Sequence, residues 1–471
     1  MNRVSCSTVV FLTTQQPQET HMNILALLQT LTPVISRTDI SRMRQVVQAM
    51  LSMTGRVTML GISRWTGTGG SYRTIQRFFN TSIVWAEIHF IFFKHHFFVP
   101  THEYFMVGDE CVVTKSGKFT YGLDRFYAGL QSKVVKSIAI FSLSIVSVNE
   151  RRSYPTKVEQ VVRTDEEKEA VKKKKTKKAK KQSNPNKKKL GRPKGSKNRD
   201  KAQVSLTPEL LRIQNMIKKQ LQLLQLLVKI RHIALDGHFG NNNALQMVLQ
   251  CGLDLVSKLR SDSALYFSYD GPQKNKGPRR KYGSKIVYKN IPGKYLVKES
   301  TEDNILTRVY QSQMLHKSFA QALNVVIITK ANLKTDAFAH VILFSNDLEI
   351  SFEKIIDYYS LRFQIEFNFR DAKQFWGLED FMNIKKVPLT NALNLSLFMV
   401  NLSQVLLREF RHTNPESGIL DLKAYYRAAK YFEETIKMLP QKPDPILFEQ
   451  IFGHLTAFSS IHSAKLPLAS P

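Results

Sequence analysis

Two aspartates that follow short apolar runs constrain the fold of this chain more than any other feature. Asp109 closes the run YFMVG, and Asp236 closes the run IAL before a glycine-containing turn. Short apolar runs bounded by polar residues are typical of buried strands. A carboxylate at the carboxyl end of such a strand lies at the rim of a sheet, where active sites are built. For Asp109 taken alone, the alternative is an ordinary aspartate in the turn that ends a strand.

A second pattern lies in the last third of the chain. Tyr359, Arg362, Glu366 and Lys373 occupy positions i, i+3, i+7 and i+14 of one segment. At about 3.6 residues per turn, this spacing predicts one stripe on a single helix. A carboxylate flanked by a phenol, a guanidinium and an ammonium suits a site that holds a metal ion and binds phosphate. The alternative is a solvated helix face with i,i+4 ion pairs.

The charge of the chain favours a polyanionic partner. The 471 residues contain 69 Lys and Arg against 38 Asp and Glu, a net charge of +31. Nucleic acid and an anionic membrane surface both fit this imbalance. The best apolar runs, 137–148 and 393–407, are too short or too polar to span a bilayer. We therefore expect a nucleic acid partner and no membrane.

The cysteines indicate a reducing compartment. Cys6, Cys111 and Cys251 show no CxxC and no paired Cys/His spacing. Neither a structural zinc site nor a disulfide framework is expected, and a cytoplasmic location fits. The N-terminus carries only a weak apolar core, so we predict no signal peptide.

Residues 1–100 are predicted to be a helical region that binds DNA. Two helical segments flank the turn GTGG, and Ser71 is a candidate N-cap for the second. This arrangement is compatible with a helix-turn-helix, in which Arg73, Gln76 and Arg77 would face a DNA groove. An ordinary helical bundle is the equally weighted alternative.

A basic, low-complexity segment interrupts the fold at 165–204. Between Lys172 and Lys201 there are 16 basic residues and one acidic residue. Such a run cannot pack a core, so we predict a disordered insert. Its Gly-Arg-Pro turn, with Arg192 and Lys194, resembles an AT-hook that enters the minor groove. A generic basic tail is the alternative, and either would touch DNA.

The remaining segments complete an α/β (α+β mixed) chain. Residues 101–164 and 205–260 are predicted to form two parts of one core, and 261–345 a β-rich insertion. Residues 346–385 carry the helix with Glu366, and 386–471 form a helical C-terminal region. Thr207 followed by Pro208 predicts a helix start.

Asp109, Asp236 and Glu366 together are what two-metal phosphoryl transfer requires. Hard Mg²⁺ prefers oxygen ligands and keeps several waters, so few carboxylates suffice. Two Mg²⁺ (or Mn²⁺) ions can activate the attacking oxygen and stabilise the leaving oxygen. Because the three acids are far apart in the chain, only tertiary folding can bring them together.

With these residues in view, the chain resembles a DDE transposase of bacterial insertion sequences, in the class with the Tyr-x2-Arg-x3-Glu-x6-Lys signature. Tyr359, Arg362, Glu366 and Lys373 match that signature without a gap. Further matches are GDECVVTKSGK around Asp109, LDGHFGN around Asp236 and KLGRPKGSKN in the basic insert.

The resemblance implies an RNase H-like catalytic core with an inserted β-rich subdomain, flanked by helical regions. It also implies catalysis and metal binding by the three acids, with double-stranded DNA held by Tyr359, Arg362 and Lys373. A homodimer on the DNA and a bacterial, nucleoid-associated location follow from it as well. In hairpin-forming relatives a tryptophan of the insertion stacks on a flipped base. All three tryptophans here lie outside 261–345, so Tyr282 or Tyr288 would have to replace it.

Three functions are therefore compared. The first is a transposase that cleaves the ends of its element and joins them to a target. The second is a catalytically inactive DNA-binding protein derived from a transposase, against which the intact acids argue. The third is a nuclease with the same fold and no target joining.

Overall fold

The computed structural model describes residues 23–67, 69–169, 200–441 and 443–462. The N-terminal region is helical as predicted. Its helices α1 to α5 are Ile24–Gln29, Arg37–Ser52, Met59–Trp65, Tyr72–Asn80 and Trp85–His96. The Ser71 hydroxyl accepts a hydrogen bond from the backbone N–H of Thr74 at 3.4 Å, which caps α4.

Four strands follow and form one side of a large sheet. They are β1 (Tyr104–Thr114), β2 (Asp124–Ala128), β3 (Lys133–Ser147) and β4 (Arg152–Val161). β3 is antiparallel to β1, β2 and β4. Eleven consecutive residues of β3, Ser137–Ser147, are buried. A strand that is buried along its length is covered on both faces.

The second part of the core begins at the predicted helix start. Helix α6 is Pro208–Leu224, with Thr207 as its N-cap. Strand β5 (His232–Leu235), helix α7 (Asn242–Leu249) and strand β6 (Asp254–Leu259) follow. β5 is parallel to both β1 and β6, as expected for strands joined by helical crossovers.

The strands of the predicted β-rich insertion extend the core sheet. They are β7 to β12: Leu265–Ser268, Tyr282–Lys285, Leu296–Glu302, Ile305–His316, Leu323–Asn332 and Phe338–Ser345. β12 pairs with β6, so the strand order is β2-β3-β1-β5-β6-β12-β11-β10-β7-β8. The insertion is thus continuous with the core in one mixed sheet.

Helices complete the chain. Helices α8 to α12 are Phe352–Leu361, Gln364–Phe375, Lys386–Phe410, Ile419–Met438 and Pro445–Ser459. Helix α10 is buried along most of its length and packs on β4 and α9. The mixed α/β fold with helical ends is confirmed and is consistent with an RNase H-like core. In the described part of the chain, no helix has the length and apolarity needed to cross a membrane.

Candidate active site

The first two acids lie side by side because β1 and β5 are parallel and in register. The last residues paired between the two strands are Gly108 and Leu235. Asp109 and Asp236 come directly after them in the chain. Asp236 follows its strand as predicted. Asp109 does not: β1 continues to Thr114 through its pairing with β3. The prediction that Asp109 ends a strand is wrong, because only its parallel pairing ends there.

Glu366 reaches this edge from a helix that is not the predicted single helix. Helix α8 ends at Leu361 and α9 begins at Gln364. Between them, the N–H of Phe363 donates to Ser360 and the N–H of Glu366 donates to Phe363, both with i→i−3 spacing. The chain thus tightens for one turn at Arg362 and Phe363. The single-helix prediction is wrong, although the four signature residues stay in one contiguous segment.

Arg362 joins two of the acids. Its guanidinium donates from Nη1 to Asp109 Oδ2 at 3.2 Å and from Nη2 to Glu366 Oε1 at 3.1 Å. The Arg362 side chain is only 10% exposed, and that of Asp109 only 19%. An arginine this buried between two carboxylates indicates concentrated negative charge that needs a cation.

The pKa of Asp109 also reflects this concentration of negative charge. It is raised to about 6, chiefly by burial, and the charges of Asp236 and Glu366 act in the same direction. Arg362 and the N–H of Glu110 act in the opposite direction and lower the pKa. The negative charges of Asp236 and Glu366 thus act on the Asp109 carboxyl group.

Asp236 is fixed by its backbone surroundings. Its carboxylate accepts a hydrogen bond from the N–H of His238 at 3.2 Å, and its carbonyl accepts one from Ser257 at 2.9 Å. The His238 ring lies 3.5 Å from Glu209 of α6. That contact raises the pKa of His238, although burial opposes it.

The other two signature residues have different surroundings. Tyr359 is half-buried, and its ring lies 5.6 Å from the Arg362 guanidinium. Lys373 points toward β1, where its Nζ donates to Val112 O at 3.1 Å and pairs with Glu379 at 2.9 Å. Tyr359 and Arg362 are therefore beside the acids, whereas Lys373 contacts β1 further along the strand.

Sequence reasoning missed Glu379. It follows α9 beyond a turn at Gly377 and neutralises the ammonium of Lys373. No periodic pattern links it to the signature, because the pairing depends on the chain reversing after the helix.

The acids have the donor chemistry for Mg²⁺, but the metal would have to displace Arg362 from between Asp109 and Glu366. Among the described residues, a different trio already has its ligand atoms within 4.8 Å of one another: His232, Asp254 and Asp347. It lies at the amino ends of β5 and β6, the opposite sheet edge. Arg231 pairs with Asp254 at 3.2 Å and with Asp347 at 2.9 Å. Its guanidinium therefore already neutralises the negative charge of this trio.

The remaining predicted DNA contacts are outside this cluster. Arg73 and Arg77 are exposed one turn apart on α4. Arg192 and Lys194 lie outside the described residues. Tyr288 stacks on His340 at 4.3 Å and donates to Ser263 O at 2.5 Å, so it is engaged within the fold. Tyr282 is half-buried in an edge-to-face contact with Tyr266 at 5.4 Å.

Comparison with protein-family models found a match. The family model described as DDE superfamily endonuclease matches residues 29–318, more than half of the chain. The match contains Asp109 and Asp236 and ends before Glu366, so the third acid rests on the geometry above. Comparison with curated protein sequences found no match.

Proposed function

The chain belongs to the DDE superfamily endonucleases, and we propose that it is the transposase of a bacterial insertion sequence. In this proposal it binds the ends of its element, cleaves the DNA and joins it to a target, by cut-and-paste transposition. One observation carries the proposal. Arg362 contacts Asp109 and Glu366 together, while Asp236 follows the strand beside Asp109. Three acids from distant parts of the chain thus meet at one sheet edge, as metal-dependent phosphoryl transfer requires.

The residues fit two Mg²⁺ or Mn²⁺ ions. Asp109 and Asp236 would hold them from the sheet, and Glu366 from α9, all through oxygen atoms. When bound, the ions would activate the attacking oxygen and stabilise the leaving oxygen of an in-line displacement. The protein's own part is to position the DNA strand, which contributes several kcal/mol when the reacting atoms are held in line.

Arg362 has two roles in this proposal. Without metal it neutralises Asp109 and Glu366 and keeps them close together. With Asp109 and Glu366 holding metal, the Arg362 guanidinium would be free to bind a DNA phosphate beside the scissile bond, for which its planar donor set is suited. Tyr359, beside Arg362, orients the strand. Lys373 can reach a phosphate only by leaving Glu379.

The partners in this proposal are double-stranded DNA and a second copy of the chain. Arg73 and Arg77 of α4, with Arg192 and Lys194 of the basic insert, would bind the terminal repeats and neighbouring DNA in the bacterial cytoplasm. The large excess of basic residues supports a DNA partner. The exposed positions of Arg73 and Arg77 leave both free to contact it.

The first prediction tests the acids. Asp236→Asn should abolish Mg²⁺-dependent cleavage of a plasmid that carries the coding region with its flanking genomic DNA, because a neutral amide is a weaker metal ligand. Binding of the same DNA, measured in EDTA, should be retained. Glu110→Gln is the matched control, since Glu110 is an exposed acid next to Asp109.

Three other outcomes would overturn the proposal in different ways. Cleavage by Asp236→Asn at the wild-type rate would show that the metal ligands are misassigned. Wild-type protein that binds the flanking DNA and never cuts it, with Mg²⁺ or Mn²⁺, would favour the inactive DNA-binding derivative. Cleavage without joining to a second plasmid would favour the nuclease.

A further inference from the structure

The segment that joins β7 to β8 carries an unusual charge. Residues 269–285, which we call the basic hairpin, contain one acidic residue, Asp270, and six basic residues. The six are Lys274, Lys276, Arg279, Arg280, Lys281 and Lys285, and all are exposed. Within the described part of the chain none of the six pairs with a carboxylate. On α11, by contrast, Lys430 and Lys437 each pair with Glu433 and Glu434.

The basic hairpin is held in shape by its own contacts. The side-chain amide of Gln273 donates to Arg280 O and accepts from Arg280 N, both at 2.8 Å. The N–H of Tyr269 donates to Lys281 O at 3.0 Å. The Arg280 guanidinium lies 4.5 Å from the Tyr269 ring. Its cations are therefore presented on an ordered loop, which lowers the entropy cost of binding a ligand with them.

Two half-buried tyrosines connect the basic hairpin to the end of β10. Lys317 lies 4.8 Å from the ring of Tyr266 and 5.9 Å from that of Tyr282. The pKa of the neighbouring His316 is lowered, mainly by burial and in addition by the positive charge of Lys201. Lys317 therefore extends the positively charged surface from the basic hairpin to the end of β10.

The buried Asn242 connects this surface to the segment that carries Asp236. This residue begins α7, six positions after Asp236. Its side chain donates to Lys201 O at 2.8 Å and accepts from the N–H of Ala320, three residues after Lys317, at 3.0 Å. Asn242, six residues after Asp236, is thus hydrogen-bonded to Lys201 and to the segment of Lys317, and Lys317 contacts the tyrosines beside the basic hairpin.

We propose that the basic hairpin, with Lys201 and Lys317, is a binding surface for the backbone of the DNA duplex that leads away from the catalytic carboxylates. The inference rests on the proposed function and names a contact that the signature residues do not provide. Exposed cations without carboxylate partners release counterions when they meet phosphates, which gives affinity without sequence preference.

The composition of the surface favours nucleic acid over protein. Between 269 and 285 no large apolar side chain is exposed, whereas protein interfaces have an apolar centre depleted in charge. A duplex offers a regular row of phosphates to a row of lysines and arginines.

The test uses the full-length protein and a fluorescent duplex of arbitrary sequence and about 30 base pairs, in EDTA so that no cleavage occurs. Binding is measured by anisotropy over a range of KCl concentrations. The variant is Lys276→Gln, Arg279→Gln and Lys281→Gln combined, since these side chains have no hydrogen bond or ion pair in the described structure. The slope of log K against log salt should fall by about 2 to 3, because each lost phosphate contact contributes about 0.9.

The control replaces three other exposed lysines, Lys218, Lys219 and Lys229. Lys218 and Lys219 lie in the C-terminal half of α6, and Lys229 follows that helix, whereas Glu209, the residue that contacts His238, lies at its N-terminal end. This triple variant should keep the wild-type slope. An unchanged slope in the hairpin variant, or an equal drop in the control, would overturn the inference while leaving the carboxylate assignment untouched. Wild-type protein that does not bind the duplex at all would instead overturn the proposed function. A larger effect of the hairpin variant on an RNA duplex would overturn the assignment to DNA.

Discussion

At the scale of single residues, Arg362 connects the sequence signature to the chemistry of the site. The sequence placed it one turn before Glu366 and predicted a phosphate contact. The structure adds Asp109 as a second carboxylate partner, at 3.2 Å. The Arg362 guanidinium therefore lies between the carboxylates of Asp109 and Glu366 and neutralises their negative charge. In the proposed function, metal and Arg362 would compete for the same carboxylates, so loading the site with metal would require breaking these two ion pairs.

This competition gives the second prediction. Arg362→Ala should lower the free energy of unfolding of the metal-free protein by about 3 kcal/mol, since it leaves the largely buried carboxylate of Asp109 without its partner. Addition of about 10 mM Mg²⁺, a saturating amount for a weak site, should then raise the melting temperature more in the variant than in the wild type. Calorimetry with and without Mg²⁺ measures both effects.

Arg370→Ala is the matched control for this experiment. Arg370 lies on α9, two turns after the tight turn at Arg362, is exposed, and pairs with its neighbour Asp371 at 3.1 Å. It should change the free energy of unfolding by no more than about 0.5 kcal/mol and leave the Mg²⁺-induced rise in melting temperature at its wild-type size. If Mg²⁺ stabilises Arg362→Ala and wild type equally, Arg362 does not compete with the metal.

At the scale of elements, the sequence predicted which segments are strands and helices better than where they join. The apolar runs before Asp109 and Asp236 are the parallel strands β1 and β5, and the helix start at Thr207 is confirmed. The prediction that Asp109 ends its strand was wrong because the pairing of β1 with β3 outlasts its pairing with β5. Long-range pairing of this kind leaves no local signal.

The break between α8 and α9 was missed for a related reason. Neither glycine nor proline occurs at 362–363, so the helical periodicity continues through it. We attribute the tight turn to the contacts that Arg362 makes with Asp109 on β1, which local propensity does not encode. Strands β9–β12 join the core sheet because β12 pairs with β6. The register of that pairing is likewise not encoded by the local sequence.

The turn after α9 gives the third prediction. Gly377 has φ +71°, and a Cβ added there would lie 2.3 Å from the Cβ of Val57. Gly377→Ala should therefore lower the free energy of unfolding by about 2–4 kcal/mol, through backbone strain and overpacking together. Urea unfolding measures the loss.

Gly293→Ala is the comparison, because an added Cβ would meet nothing within 4 Å and the φ of Gly293 is not positive. It should change stability by no more than about 0.5 kcal/mol. Equal effects of the two substitutions would show that the close approach of Gly377 to Val57 does not constrain this turn.

At the scale of the whole molecule, the two helical ends of the chain pack together against the core sheet. The indole N–H of Trp85 on α5 donates to Asn391 of α10 at 2.8 Å, and the Asn391 amide donates to Phe79 O at 2.7 Å. Asn401 of α10 donates to Pro155 O of β4 at 2.8 Å. Lys423 of α11 donates to Met50 O at 2.6 Å. Buried polar side chains thus fix the N- and C-terminal helices in one arrangement.

His89 lies inside this junction and makes the stability of the whole molecule depend on pH. It is fully buried, with its ring 6.0 Å from Trp85 and 5.9 Å from Phe398. Burial lowers the pKa of His89 to about 4, whereas an unfolded histidine has a pKa of about 6.5. Between those values the unfolded chain binds a proton that the folded chain does not, so stability falls as the pH falls.

The fourth prediction follows from this difference. Lowering the pH from about 7.5 to about 4 should remove about 3 kcal/mol of unfolding free energy through His89, because each pKa unit corresponds to about 1.4 kcal/mol. His89→Leu has no proton to bind there and should show a shallower dependence. Urea unfolding at several pH values gives the slope for each protein, and exposed His412→Gln should keep the wild-type slope. The half-buried His96, whose pKa is also lowered to about 4 mainly by burial, contributes equally to all three proteins and cancels in the comparison. A His89→Leu slope as steep as that of the wild type would show that His89 is not held neutral at the junction.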